Sequence, residues 1–141
     1  MSEIKYRKAE VKDFDNVCKF VDKWLSGRAL KEGGGNDYFV TKNQHKAYFK
    51  NCVVYVAIDK DEIVGWGVKG RNNVLNHLLV NAHYRGKGIG TELLNIIKPD
   101  IIRSKSDQQT GNPKDFYEKH GYKSVIKDYV GKKNNIELMT K

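Results

Sequence analysis

The sequence predicts a mixed α/β domain, with a central sheet of about six to seven strands and about four helices. Three observations carry this. Apolar residues recur at helical spacing early in the chain, at Phe14, Val17, Cys18, Val21, Trp24 and Leu25. The period then changes to apolar runs from Cys52 to Ile58 and from Ile63 to Val68, separated by Asp59-Lys60-Asp61-Glu62, a hairpin pattern of strand, turn and returning strand. A further run, Val74 to Val80, leads into a glycine-rich turn from Arg85 to Gly90.

Taken in order, Ile4 to Ala9 alternates as a first strand. A helix starts near Glu10 and stops before Gly27, and the segment from Gly27 to Asn36, with Gly33-Gly34-Gly35, reads as a loop. Residues 37–50 read as a second helix. After the glycine turn, Thr91 to Ile97 continues as a helix that ends before Pro99. Ile101 and Ile102 begin a short strand, and Pro113 to His120 suits a helix closed by Gly121. Ser124 to Val130 and Ile136 to Thr140 are the last strands. With no repeat and no long linker, residues 1–141 are expected to form a single domain.

Composition narrows the classes. Hydrophobic residues at 39% argue against wholesale disorder. No run nears the about 20 apolar residues of a membrane helix, and Met1 to Lys5 has no apolar signal core, so a cytoplasmic protein without membrane contact is expected. Cys18 and Cys52 have neither CxxC nor histidine spacing, so neither a disulfide nor a metal is expected. The net charge of +9 favours acidic partners, although the basic residues are scattered apart from Lys5-Tyr6-Arg7-Lys8 and Lys132-Lys133.

The most informative segment runs from Leu78 to Thr91, a buried strand entering glycines that open a helix. Glycines allow close backbone approach, and free amides at a helix start point at an anion, so this geometry suits a phosphate. Arg85 and Lys87 add positive charge at its rim. The spacing is not the dinucleotide G-x-G-x-x-G, and the lysine-serine end of a P-loop is absent.

Arg85-x-x-Gly88-x-Gly90 resembles the acyl-coenzyme A signature of the GCN5-related N-acetyltransferase (GNAT) family. Tyr6 to Ala9 with Asp13, the hairpin Val56-Ala57-Ile58 and Ile63-Val64-Gly65, the run Phe116-Tyr117-Glu118-Lys119-His120-Gly121-Tyr122, and Glu137-Leu138-Met139 resemble that family's other segments in the same order. The resemblance implies a GNAT fold with splayed strands at the acyl-coenzyme A site, acetyl-CoA as co-substrate, and transfer to an amine of a small molecule or protein. It implies that Leu78, Leu79 and Val80 offer backbone groups to the pantetheine and that Arg85, Gly86, Lys87, Gly88, Ile89, Gly90 and Thr91 hold the pyrophosphate. Asn112 is assigned with these coenzyme-binding positions. Tyr117 is implied as the acid that protonates the departing thiolate, a role open to a phenol with a pKa near 10.

The base departs from the pattern. The position that holds Glu or His in many relatives falls on Asn76, which can hold a water but cannot take a proton. His77 can titrate near neutral pH, but strand alternation points it to the opposite face from Asn76. The glutamate that some relatives carry on the following strand falls on Lys105.

Arg103 to Thr110 is a run of eight polar residues where a half-buried strand is expected. It reads either as a frayed strand end and solvated loop, or as a polar acceptor pocket with Ser106 and Asp107 as proton carriers and Lys105 as an anion contact. The segment from Ile102 to Tyr122 also resembles acetyltransferases of phages and prophages, which with the positive charge keeps a nucleic-acid acceptor as an alternative. A non-catalytic acyl-CoA-binding module is the other alternative, and a homodimer is left open. The glycine loop at 33–35, with Arg28 and Lys31 before it, lies where relatives shape their acceptor site.

Overall fold

Strand β2 (Val53–Asp59) and strand β3 (Glu62–Lys69) form the hairpin at the heart of the fold. Its turn residues Lys60 and Asp61 both take positive φ, 50° and 68°, the two-residue left-handed turn whose twist matches that of the strands. The computed structural model describes residues 3–26, 40–105, 114–126 and 136–141. Among these, β1 (Lys5–Lys8), β4 (Val74–Val80), β5 (Ile101–Lys105), β6 (Lys123–Ile126) and β7 (Ile136–Thr140) complete a seven-stranded sheet of order β1-β2-β3-β4-β5-β7-β6. Only β4 and β5 pair in parallel, so the sheet is mixed as expected.

Two layers cover the sheet. On one face lies α3 (Ile89–Ile97), whose Ile89, Leu93 and Ile97 are buried. Gly65 and Gly67 on β3 allow its close approach: a Cβ on Gly65 would lie 3.0 Å from both Ile89 and Leu93, and one on Gly67 would lie 2.7 Å from Ile97. Tyr117 of α4 (Lys114–Lys119) joins the same cluster, with Leu75, Ile102 and Met139 from the sheet. On the other face, Val17, Phe20 and Val21 of α1 (Phe14–Val21) pack on Val54, Val56, Trp66 and Val68. Tyr48 and Phe49 of α2 (Lys42–Asn51) flank that cluster.

Element starts follow local chemistry. Thr41 caps α2, its hydroxyl accepting from the Gln44 amide at 3.1 Å while the Gln44 side chain accepts from the Thr41 amide at 2.8 Å. The first helix begins later than the sequence pattern suggests. A 3-10 turn, Val11–Asp13, precedes α1 because Asp13 accepts from the Glu10 amide while its carboxylate also pairs with Arg7 at 2.7 and 3.0 Å. The polar run begins as strand: Arg103, Ser104 and Lys105 pair with Leu138, Glu137 and Ile136 of β7, since a backbone ladder is indifferent to side-chain polarity. Strand β6 is described to Ile126. The glycine loop with Arg28 and Lys31, the rest of the polar run, Lys132-Lys133 and the expected end of β6 lie outside the described residues.

His45 of α2 is 2% exposed, between Phe14, Tyr48 and Trp66, and neither ring nitrogen has a hydrogen-bond partner. Burial pushes its pKa below the ordinary 6.5, so the folded chain refuses a proton that the unfolded chain accepts. The stability this contributes is present above pH 6.5 and is lost as pH falls below it toward the folded pKa. Denaturant titrations between pH 7 and 5 are expected to show a smaller loss of stability for His45→Phe than for the native chain. Equal slopes would contradict a buried neutral imidazole.

Candidate active site

The glycine turn is pinned at both ends. The Asn81 amide bonds the Val64 carbonyl of β3 at 2.9 Å, and the Asn81 side chain accepts from the His83 amide at 2.8 Å, opening a 3-10 turn over Ala82–Tyr84. The Tyr84 hydroxyl then donates to the Asp59 carboxylate at 2.7 Å, tying the loop to the β2–β3 hairpin. Gly86 and Gly88 take φ of 80° and 83°, a region that strains other residues, and nothing lies within 4 Å of where their Cβ atoms would be. Gly88 caps α3, so the amides of Ile89, Gly90 and Thr91 have no acceptor within the helix. Arg85, Gly86, Lys87 and Gly88 are exposed, with the Lys87 ammonium 5.1 Å from the centre of the Tyr84 ring.

Side chains in this segment divide between ligand and core. Ile89 is 1% exposed, so only its amide faces outward chemistry. A Cβ on Gly90 would stand 3.3 Å from the Phe116 ring, so this glycine admits α4 against α3. Thr91 serves the same contact: His120 Nδ1 donates to the Phe116 carbonyl at 2.8 Å, and its Nε2 meets the Thr91 hydroxyl at 3.1 Å. Gly88→Val is expected to weaken acetyl-CoA binding about tenfold or more. A left-handed conformation costs a side-chain-bearing residue about 1–2 kcal/mol, and relief of that strain would move the amides. Calorimetric titration checks this; an unchanged Kd would separate the turn from the coenzyme.

Strands β4 and β5 share a ladder only at Val74–Ile101 and Leu75–Ile102. Beyond it, β4 continues through Asn76 to Val80 along β3, and β5 continues through Arg103 to Lys105 along β7. The two strands part, and a wedge-shaped gap opens between them. Since the Asn81 amide points to β3, alternation directs the backbone groups of Leu79 to β3 and those of Leu78 and Val80 into the gap. Leu79 therefore does not offer its backbone to the gap as the resemblance implies; its side chain instead packs with Trp66.

Alternation along β4 is itself broken. Lys69 pairs with Leu75 and Val68 with His77, so one extra residue, Asn76, is bulged. Leu75 packs on the α3 face, yet His77, two residues later, stacks on Trp66 of the α1 face at 5.0 Å between centroids and 26° between planes. The Asn76 side-chain Nδ2 sits 2.6 Å from where a Gly70 Cβ would be, with the Cys52 sulfur 3.8 Å from that point. Cys52 packs on the cluster containing Trp66, so the bulge turns Asn76 and His77 toward one face, contrary to the strict alternation expected. His77 Nε2 meets the Tyr48 hydroxyl at 3.0 Å.

Tyr117 packs on the face of the sheet opposite to Trp66 and His77. Its ring is 6% exposed, in the α3-face cluster. Its hydroxyl makes no hydrogen bond among the described residues. Burial pushes its pKa well above the ordinary 10, so the phenol keeps its proton at neutral pH. The sheet thus carries a protonated phenol in the cluster on its α3 face and His77, Tyr48 and Asn76 on the other face. Ser106, Asp107 and Asn112 lie outside the described residues, as does the side chain of Lys105.

A model of the acetyltransferase (GNAT) domain matches residues 50–124, more than half of the chain, including the glycine turn and Tyr117. The chain belongs to the GNAT acetyltransferase family. Its reaction class is acetyl-CoA-dependent N-acetylation. Solved structures share its fold along nearly its whole length. PaiA N-acetyltransferase from Thermoplasma acidophilum, in complex with coenzyme A, is 18% identical, with a TM-score of 0.68 over 99% of this chain and 98% of that one. A GNAT-family acetyltransferase from Staphylococcus aureus Mu50 is 17% identical, with a TM-score of 0.71 over 97% of each chain. Naa50 from Arabidopsis thaliana, in complex with the bisubstrate analogue CoA-Ac-MVNAL, is 18% identical, with a TM-score of 0.66 over 98% and 97%. No curated protein sequence matches this chain.

The residues present fit the coenzyme: open glycine positions and free helix amides suit phosphate, and an unpaired strand edge suits an extended amide-bearing arm. Among the described residues, no group of three His, Cys, Asp or Glu side chains could hold a metal ion. No helix among them is long and apolar enough to cross a membrane.

Proposed function

We propose that this chain moves an acetyl group from acetyl-CoA directly to an amine of a small molecule or protein, with Tyr117 as the general acid. The observation that supports the reading is the opening between β4 and β5, with Tyr117 packed on one face of the sheet and the polar group around His77 on the other. Acetyl-CoA supplies the activated acyl group. Amides of residues 86–91 orient the pyrophosphate, and the inward edges of Leu78 and Val80 align the pantetheine arm.

The amine must be neutral to attack. Asn76 holds the water that accepts its proton, and the His77–Tyr48 pair follows it on that face. Ser106 and Asp107 serve as further proton carriers. A lysine amine has a pKa near 10.4, so only about one in a thousand is neutral at pH 7, and the missing carboxylate base favours an acceptor with a lower amine pKa. On the opposite face, Tyr117 donates to the thiolate as the carbon–sulfur bond breaks.

Calorimetric titration with acetyl-CoA, against free coenzyme A, tests the donor; micromolar binding is expected. A mass-based screen of amines and peptides then reads the acceptor as a gain of one acetyl group. A well-folded chain that does not bind acetyl-CoA would overturn the mechanism.

A further inference from the structure

We propose that the acceptor carries a carboxylate close to its amine, and that Arg103 binds that carboxylate at the base of the gap between β4 and β5. The proposal rests on the acetyl-transfer reading above and names the substrate class of that site.

Position comes first. Leu75–Ile102 is the last parallel pair, so Asn76 and Arg103 are the first residues beyond it on the two diverging strands. Ile102 packs on the α3 face, so alternation sends Arg103 to the other face, the one that holds Trp66, His77 and Tyr48. Tyr48, whose hydroxyl meets His77 Nε2 at 3.0 Å, lies on that same face.

The state of the side chain comes second. Arg103 is half-buried, and its Nε is sealed from solvent without a hydrogen-bond partner. Among the described residues the ion pairs are Arg7–Asp13 and Lys12–Glu10, and neither involves Arg103. A buried donor left unmet is costly, and a guanidinium fork matches a carboxylate through two parallel N–H donors. Arg103 carries one fixed positive charge, which a single negative charge balances. A carboxylate carries one; a phosphate dianion leaves an excess in a half-buried place. An amine tethered to that carboxylate would lie beside Asn76 and His77, where its proton must leave.

The test uses the full chain and two probes, acetate and inorganic phosphate, with the His77 ring followed by proton–carbon magnetic resonance. Acetate is expected to shift the ring signals saturably in the millimolar range. Arg103→Gln is expected to weaken that response about tenfold or more, and Arg103→Lys less, because a charge without the fork remains. Acetate without effect on the ring, an Arg103→Gln response equal to the native one, or tighter binding of phosphate each overturns the proposal. A second arm measures acetyl transfer to a free amino acid and to a peptide with an acidic residue beside its N-terminal amine, each against its carboxamide. A carboxylate preference in kcat/KM of about tenfold or more that collapses in Arg103→Gln supports the proposal and identifies the source; no preference in either pair overturns it. The anion titration needs no coenzyme, so failure to bind acetyl-CoA sinks the transfer reading while this result stands separately.

Discussion

Tyr117→Phe is expected to lower kcat by about 100- to 10,000-fold, the range that a positioned acid contributes, while acetyl-CoA binds with unchanged affinity. The substitution removes one oxygen that has no partner among the described residues, and the ring keeps its place among the Ile89, Leu93 and Ile102 side chains. Stability should therefore change little, which separates chemistry from folding. Because burial raises the phenol pKa, the native rate should show no loss between pH 6 and 9 from ionisation of this group. Steady-state kinetics with calorimetry decide the matter. Full turnover by a variant that binds coenzyme normally would remove Tyr117 from the mechanism.

Trp66→Ala should produce the largest loss of stability, about 3–5 kcal/mol for truncating a fully buried aromatic. A domain of this size has about 5–15 kcal/mol in total, so the variant would approach the threshold of unfolding at physiological temperature. Trp66 is 1% exposed and touches both His45 and His77, with centroids 5.8 and 5.0 Å away. Its indole N–H is buried without a partner, so Trp66→Phe, which keeps a ring and deletes the orphan donor, should cost much less. Urea unfolding followed by circular dichroism reads both midpoints. A shift for Trp66→Ala worth less than about 1 kcal/mol would mean that the α1-face core closes without it.

Much of the architecture was legible because periodicity reports burial directly. The hairpin, the strand from Val74 to Val80 and the helix after the glycines all follow from which residues leave water. The start of α2 was also written locally, in the Thr41 and Gln44 capping pair, although the apolar pattern around it was too sparse to fix the boundary. Other features depend on partners far along the chain. Gly90 looks like one more phosphate-binding glycine until Phe116 is seen against it. Arg103 is hidden in a polar run, and only pairing with Leu138 shows that it belongs to a strand. Alternation put His77 on the face opposite Asn76, and this failed because the bulge at Asn76 is a property of the β3–β4 register and leaves no mark in local sequence.

That bulge makes the two parts of β4 out of phase. Leu75 and His77 are the residues that β3 counts as neighbours, and the packing on each face is correct for a strand in which they adjoin. As far as the core is concerned, Asn76 is surplus, and a strand one residue shorter would satisfy both faces of the sheet. The surplus residue lies where β4 leaves β5, and an inserted residue bends and twists the strand that carries it. The fold and the opening in it are therefore specified separately, the first by the pattern of apolar side chains and the second by a single unit of added length.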